Sequence, residues 1–456
     1  LKISGKIDDR DFQFMRDSME ILQAINLKES EIVSSWRYHV QISENGVLGN
    51  YHDEIFPGDM PESDEECQKA VRERYPNAYG INFSSRNQRS YAHEIPDNAF
   101  SGKMSLVYFS FPEKVTKIGN SAFSGTLLSG ALIIPNDVVE IGYHAFSGTN
   151  ITSLSLPHGL KVLGGSVFSD CKSLSGELSL PESLESIGGY CFNSCSMLTG
   201  NLVLPSKLKV IPGHCFGYCE GFTGDLVIPE GVTEIGGYAF WCCKNLRGRL
   251  SLPNGLKTLG GDAFERCNFQ GELVIPNQIQ VIPDKCFSGC GFSSVVFAEG
   301  SELKKIASGL NGSCGAFSGC WRICEPIILP EGLISIEYAT FKGCRNIPAV
   351  VLPKSMVVIG NEAFDGCTNL SSITCKATTP PVCGMNAWNG VAKDNFTLEV
   401  PEQSVVKYQT ANGWSDFRRI AAHYDFSLSR PLLRTLNAEH SATYVMRAPA
   451  GYAWSI

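Results

Sequence analysis

The stretch Leu226–Cys243 reads LVIPEGVTEIGGYAFWCC. An apolar-x-apolar-Pro phrase, Leu226-Val227-Ile228-Pro229, is followed three residues on by Val232, six on by Ile235 and eleven on by Phe240. The frame returns at Val350–Leu370, VVLPKSMVVIGNEAFDGCTNL. Aligned on the proline it occurs ten times, with phenylalanine always eleven residues later: Phe123, Phe146, Phe168, Phe192, Phe216, Phe240, Phe264, Phe287, Phe341 and Phe364. Glu94–Phe100 (EIPDNAF) is a half copy that opens the array. Near Ala298 the proline is missing, Phe317 comes late, and Ser308–Cys314 reads as an inserted loop. A fixed period of 22–24 residues is the signature of stacked coils rather than of separate domains.

The spacing has a physical reading. Side chains alternate across a strand, so Leu226 and Ile228 face inward while Val227 faces out. Proline ends the strand because it cannot donate to a ladder. One coil cannot bury these residues alone, whereas equivalent positions of neighbouring coils make one continuous core.

The phrases Leu226–Cys243 and Val350–Leu370 resemble the BspA-like leucine-rich repeat proteins of bacterial surfaces, as do ATTPPVCGMNAW (Ala377–Trp388) and LEVPEQSVVKYQTANGW (Leu398–Trp414). The resemblance runs from about Glu94 to Ile420. It implies an α/β repeat: a right-handed leucine-rich-repeat solenoid with short parallel strands, 22–24-residue coils and helical caps at both ends. It also implies display outside the cell, tethered by a lipid anchor lying outside this chain, and adhesion or binding of host components. It names no ligand. A monomer is expected.

The expected organisation is an N-terminal cap over 1–33, an insertion with one helix over 34–93, the array over 94–374, a closing repeat and cap over 375–422, and a truncated immunoglobulin-like start over 423–456. In the first cap, Asp8 or Asp9 opens a helix reaching about Ala24, with Phe12, Met15, Met19 and Leu22 on one face. In the insertion, Ser63-x-x-Glu66 opens a helix over Asp64–Tyr75, and the segment serves either as further capping or as a ligand loop. Glu402–Ala411 reads as a short helix.

The chain has 456 residues, 18% of them charged against roughly 25% in an average domain. Its net charge of −8 and lack of a basic stripe argue against a nucleic-acid partner. Eighteen cysteines suggest disulfides, a metal site or small buried hydrophobes. The frame favours the last. Nine stand three residues after the Phe anchor: Cys171, Cys195, Cys219, Cys243, Cys267, Cys290, Cys320, Cys344 and Cys367. Cys191, Cys215 and Cys286 replace the alanine before it. Off the frame, Cys375 and Cys383 are the best disulfide candidates. No metal or other cofactor is expected, and no triad, P-loop, dinucleotide or zinc motif points to an enzyme.

Two surfaces remain as binding candidates. One is the outward row of the strands, with Ser110, Val203, Val227 and Val351 among its members and Glu177, Asn201, Asp225 and Arg249 beside it. Such valines also follow from strand propensity alone. The other lies two residues before the Phe anchor, where Tyr190, His214 and Tyr238 recur near Tyr218 and Trp241. These aromatics make either a platform for a partner or a cover for the Phe ladder. The expected function is non-catalytic surface recognition of a host protein or matrix component. The alternatives are a glycan-binding module of a nutrient-capture system and a structural spacer for another surface domain.

Overall fold

A computed structural model describes residues 1–19, 22–33, 93–306 and 314–423, together with the backbone of the short strands and isolated helical residues between 35 and 90. Each coil contributes two parallel strands to two ladders. The strand before the proline pairs with its counterpart one coil on, as Leu226 with Leu250 and Val227 with Ser251. The strand around the second apolar position does the same, as Val210–Ile211 with Glu234–Ile235 and then Thr258–Leu259. Nearly all main-chain pairing therefore runs between coils, which is why one coil has no stability of its own.

The core is a column of rings. From Phe100 to Phe364, twelve phenylalanines stack face to face with centroids 5.1–5.8 Å apart. Trp388 continues the column 4.6 Å beyond Phe364. Phe287 stacks on Phe317 at 5.4 Å, so the long coil between them leaves the column unbroken. Its insert, 307–313, lies outside the described residues.

The cysteines line this column. All seventeen described cysteines are free, Cys375 and Cys383 included. Each of the nine at the third position after Phe donates its thiol to the carbonyl oxygen of the Phe one coil earlier, at 3.1–3.2 Å. Thr126 and Thr149 fill the same slot but bond the Phe carbonyl of their own coil, at 2.8 and 2.9 Å. Burial pushes the thiols up, to about 11 for Cys171 and about 12 for Cys320.

Both ends extend the first ladder. Lys2–Ile7 pairs in parallel with Ala24–Ile32, which pairs with Tyr108–Ser110. Between the first two lies a helix, Asp9–Asp17, opened by a capping box of Asp8 and Asp11 and burying Phe12 and Met15. It is shorter than the sequence suggests. Ala24 is drawn into the strand opposite Tyr108, so the chain must leave the helix by Ser18. At the other end Leu398–Val400 and Ile420–Ala422 continue the ladder, and a helix of Val405–Thr410 packs Tyr408 and then Trp414 over the last coil.

The 34–93 segment differs from the sequence reading in containing an antiparallel sheet. Ser35–Glu44 pairs with Val47–Leu48, His52–Pro57, Gly80–Phe83 and Gln88–Ser90. Residues 66, 69–70 and 73–74 are helical; the rest of the helix expected over Asp64–Tyr75 lies outside the described residues. So does the immunoglobulin-like start after Tyr424.

Candidate functional site

The strand face came out less available than its sequence implies. Val203 and Val227 are 65% and 61% exposed, and Glu177, Asn201, Asp225 and Arg249 are exposed too. The polar row is nevertheless occupied with holding coils together. A Cβ added to Gly200 would meet the Glu177 side chain, one on Gly224 would meet Asn201, and one on Gly248 would meet Asp225. Each of these polar side chains lies over the glycine backbone of the next coil. Asp225 Oδ1 also accepts the Arg249 backbone N–H at 2.7 Å. Ser110 is buried rather than outward, donating its hydroxyl to Tyr108 at 2.7 Å, and Val351 is half-buried.

The aromatic row is assembled differently. The residue two before Phe is left-handed in almost every described coil, with φ from 50° to 60° at Ser121, His144, Ser166, Tyr190, His214, Tyr238, Asp262, Lys285, Ala339, Glu362 and Asn386. The coil demands this bend, since the same residue donates its N–H to the next coil, as His214 does to the Gly237 carbonyl at 3.0 Å. A side chain in this region costs roughly 1–2 kcal/mol, and glycine or asparagine normally fills it. Here two tyrosines and a histidine fill three coils running.

A second left-handed position lies two residues after Phe. Glycine occupies it at Gly102, Gly125, Gly148, Gly289, Gly319, Gly343, Gly366 and Gly390. In five successive coils it is instead Asp170, Ser194, Tyr218, Cys242 and Arg266. The middle of the array thus carries side chains at both bends.

These side chains form one cluster. Tyr190 stacks on His214 at 4.3 Å and His214 on Tyr238 at 4.5 Å, nearly parallel. Trp241 closes the end, edge-on to Tyr238 at 5.3 Å and tilted against Tyr218 at 4.6 Å. Burial lowers the His214 pKa, which favours neutral imidazole in the stack. The cluster leaves ring surface open to solvent: Tyr190 is 46% exposed and Tyr218 37%. The stack covers both faces of His214 and one face each of Tyr190 and Tyr238.

Sequence reasoning missed the acids beside this cluster. Trp241 Nε1 donates to Glu265 Oε2 at 2.8 Å, and the negative charge of Asp262 raises the pKa of the Tyr238 hydroxyl. Asp262 is buried with Glu265, and Lys285 stands 3.7 Å from it. Burial first, then a hydrogen bond with Glu265, pushes the Asp262 carboxyl up to about 6. The signal was present in the frame, because Asp262 and Lys285 hold the same slot as Tyr238 in the two following coils. Among the described residues no three His, Cys, Asp or Glu side chains gather as a metal site.

A parallel two-ladder coil with this frame defines a leucine-rich-repeat solenoid. The BspA-type leucine-rich repeat region matches over 93–223, 199–315 and 310–384, more than half of the chain, and the chain belongs to that family. Among solved structures, it is similar to a leucine-rich repeat protein from Bacteroides ovatus ATCC 8483, 25% identical over 73% of this chain and 82% of that one, with a TM-score of 0.50. It is also similar to a leucine-rich repeat protein from Eubacterium ventriosum ATCC 27560, 18% identical over 78% and 95%, TM-score 0.39. No curated protein matches it.

Proposed function

We propose that this protein is a non-catalytic recognition protein displayed at the cell surface, and that it binds a host protein or matrix component through the cluster of Tyr190, His214, Tyr218, Tyr238 and Trp241. The carrying observation is that four exposed or half-exposed aromatics, Tyr190, His214, Tyr218 and Tyr238, stand at left-handed bends where the coil itself favours glycine or asparagine, with Trp241 gathered against two of them. Backbone strain of this kind persists where surrounding structure fixes it, and clusters at binding sites. Tyrosine and tryptophan are the residues that dominate protein–protein contacts. A protein partner fits better here than a sugar, because a stacked sugar needs an open ring face and the stack covers both faces of His214 and one face each of Tyr190 and Tyr238. Membership of a family whose fold is a solenoid rather than an enzyme scaffold supports the same reading.

The test is an array of matrix and serum proteins probed with the full chain and with two double variants. Tyr238→Ala/Trp241→Ala should lose the captured partner, while Asp225→Ala/Arg249→Ala should keep it. The reverse pattern would move recognition to the strand face. An empty array would favour the spacer reading.

A further inference from the structure

Trp321 stands four residues after Phe317, and Arg345 four residues after Phe341. They are therefore equivalent residues of neighbouring coils, set apart by about one strand spacing, ~4.8 Å. Between them opens a shallow pocket of about 410 Å³ lined by Gly319, Trp321, Gly343, Arg345 and Asn346. Gly319 and Gly343 occupy the second left-handed bend, the one filled by side chains from Asp170 to Arg266. The pocket opens in the stretch where glycine returns to that bend and bare backbone becomes the floor.

Trp321 is 54% exposed, although tryptophan is the largest apolar side chain. The Arg322 guanidinium lies 5.0 Å from its ring centroid, and the ring also lines the pocket. Asn346 is held in place: its Nδ2 donates to the Trp321 carbonyl at 2.8 Å, and its Oδ1 accepts from Asn369 at 3.1 Å. Arg322 and Arg345 have no carboxylate partner among the described residues, in a chain of net charge −8. The neighbouring Lys342, by contrast, is engaged by both Glu362 and Asp365. An exposed indole, the Arg345 guanidinium and a side-chain-free floor line one pocket and form a recognition set of stated chemistry, with Arg322 packed against the indole.

We propose that this pocket binds an acidic saccharide. The apolar face of a pyranose ring lies against the Trp321 indole, and the sugar carboxylate takes the Arg345 guanidinium as a two-point hydrogen-bonded pair. The volume lies near the lower end for small-molecule sites and suits one or two sugar rings. A neutral sugar would leave the Arg345 guanidinium unanswered; a simple anion would leave the indole unanswered. The site is separate from the aromatic cluster and does not depend on the protein-recognition reading.

Calorimetric titration of the full chain with short oligogalacturonates tests this. Binding should appear at low ionic strength and weaken with added salt. It should fall at least tenfold in Trp321→Ala and in Arg345→Ala, and less in Arg345→Lys, which keeps the charge but loses the fork. Tyr238→Ala/Trp241→Ala should bind like the parent. The methyl ester of the same oligosaccharide keeps the rings and removes the charge, and should not bind. Equal binding of the ester, undiminished binding by Trp321→Ala, absence of binding at low salt, or binding of a sulfated heparin fragment alone would each overturn the proposal. Should Trp321→Ala fold poorly, Arg345→Ala and its lysine counterpart still decide it.

Discussion

The Cys219 thiol donates to the carbonyl oxygen of Phe192 at 3.1 Å, one coil back along the solenoid. That carbonyl also accepts the Cys195 backbone N–H at 3.1 Å, so one oxygen ties two coils together. The slot is thus more than a small apolar space, although burial beside the Phe column is what excludes larger residues.

Cys219→Ala should lower stability by about 1–2 kcal/mol, through a small cavity and the lost bond. Cys219→Thr should cost less, because Thr126 and Thr149 already fill this slot by turning the hydroxyl to their own coil's Phe carbonyl. Thermal unfolding of the two variants checks the order. A threonine variant less stable than the alanine variant would mean that the slot at Cys219 differs from those early coils.

Reactivity follows from the same burial. The ladder thiols are raised well above the ordinary range and shielded from solvent, whereas Cys324 is exposed. Iodoacetamide at pH 8 should modify Cys324 in the native protein and leave Cys171 to Cys290 untouched until denaturant is added. Peptide mapping by mass spectrometry reads this directly. Early labelling of Cys219 would show that the column opens locally.

The Pro–Phe interval revealed the coils because every copy meets the same packing demand. The end of the first helix was not legible, since Ala24 is claimed by Tyr108, a partner remote in sequence. The antiparallel sheet left a signal that went unread: Trp36, Tyr38, Val40 and Ile42 alternate along the strand Ser35–Glu44. The left-handed bends were hidden because Tyr190, His214 and Tyr238 are residue types that carry no preference for that region. Only the recurring glycines after Phe marked one of the two bends. The Trp321 pocket was missed for a related reason. Its residues are ordinary one by one, and Trp321 and Arg345 share no residue type that would mark their common place in the frame.

Arg266 offers a test of the strained bends away from the stack. Its φ is 59°, its side chain is exposed, and Gly289 and Gly319 hold the equivalent place in following coils. Its approach to Glu265, 3.7 Å, is a largely exposed contact on the arginine side and of small worth. Arg266→Gly should therefore stabilise the protein by about 1 kcal/mol, the relief of the bend exceeding the added flexibility of the unfolded chain. A lower melting temperature would mean that Arg266 makes a contact worth more than its strain.

Asp262 ties stability to pH in a direction opposite to that of most carboxylates. Its folded value, about 6, lies above the ~3.9 of an unfolded aspartate. Between those two values the folded chain holds a proton that the unfolded chain has released. Stability therefore falls as pH rises through this window, and the contribution is complete only below the unfolded value. Asp262→Asn keeps a neutral side chain at every pH. Below pH 4 it should match the parent, and above pH 6 it should be more stable by up to about 3 kcal/mol, the opposing pull of the Lys285 cation being already contained in the folded value. Melting temperatures of both proteins from pH 4 to 7 should diverge upward through the window. Parallel curves would show that Asp262 ionises normally, and that the acids beside Tyr238 and Trp241 are solvated rather than built into the cluster.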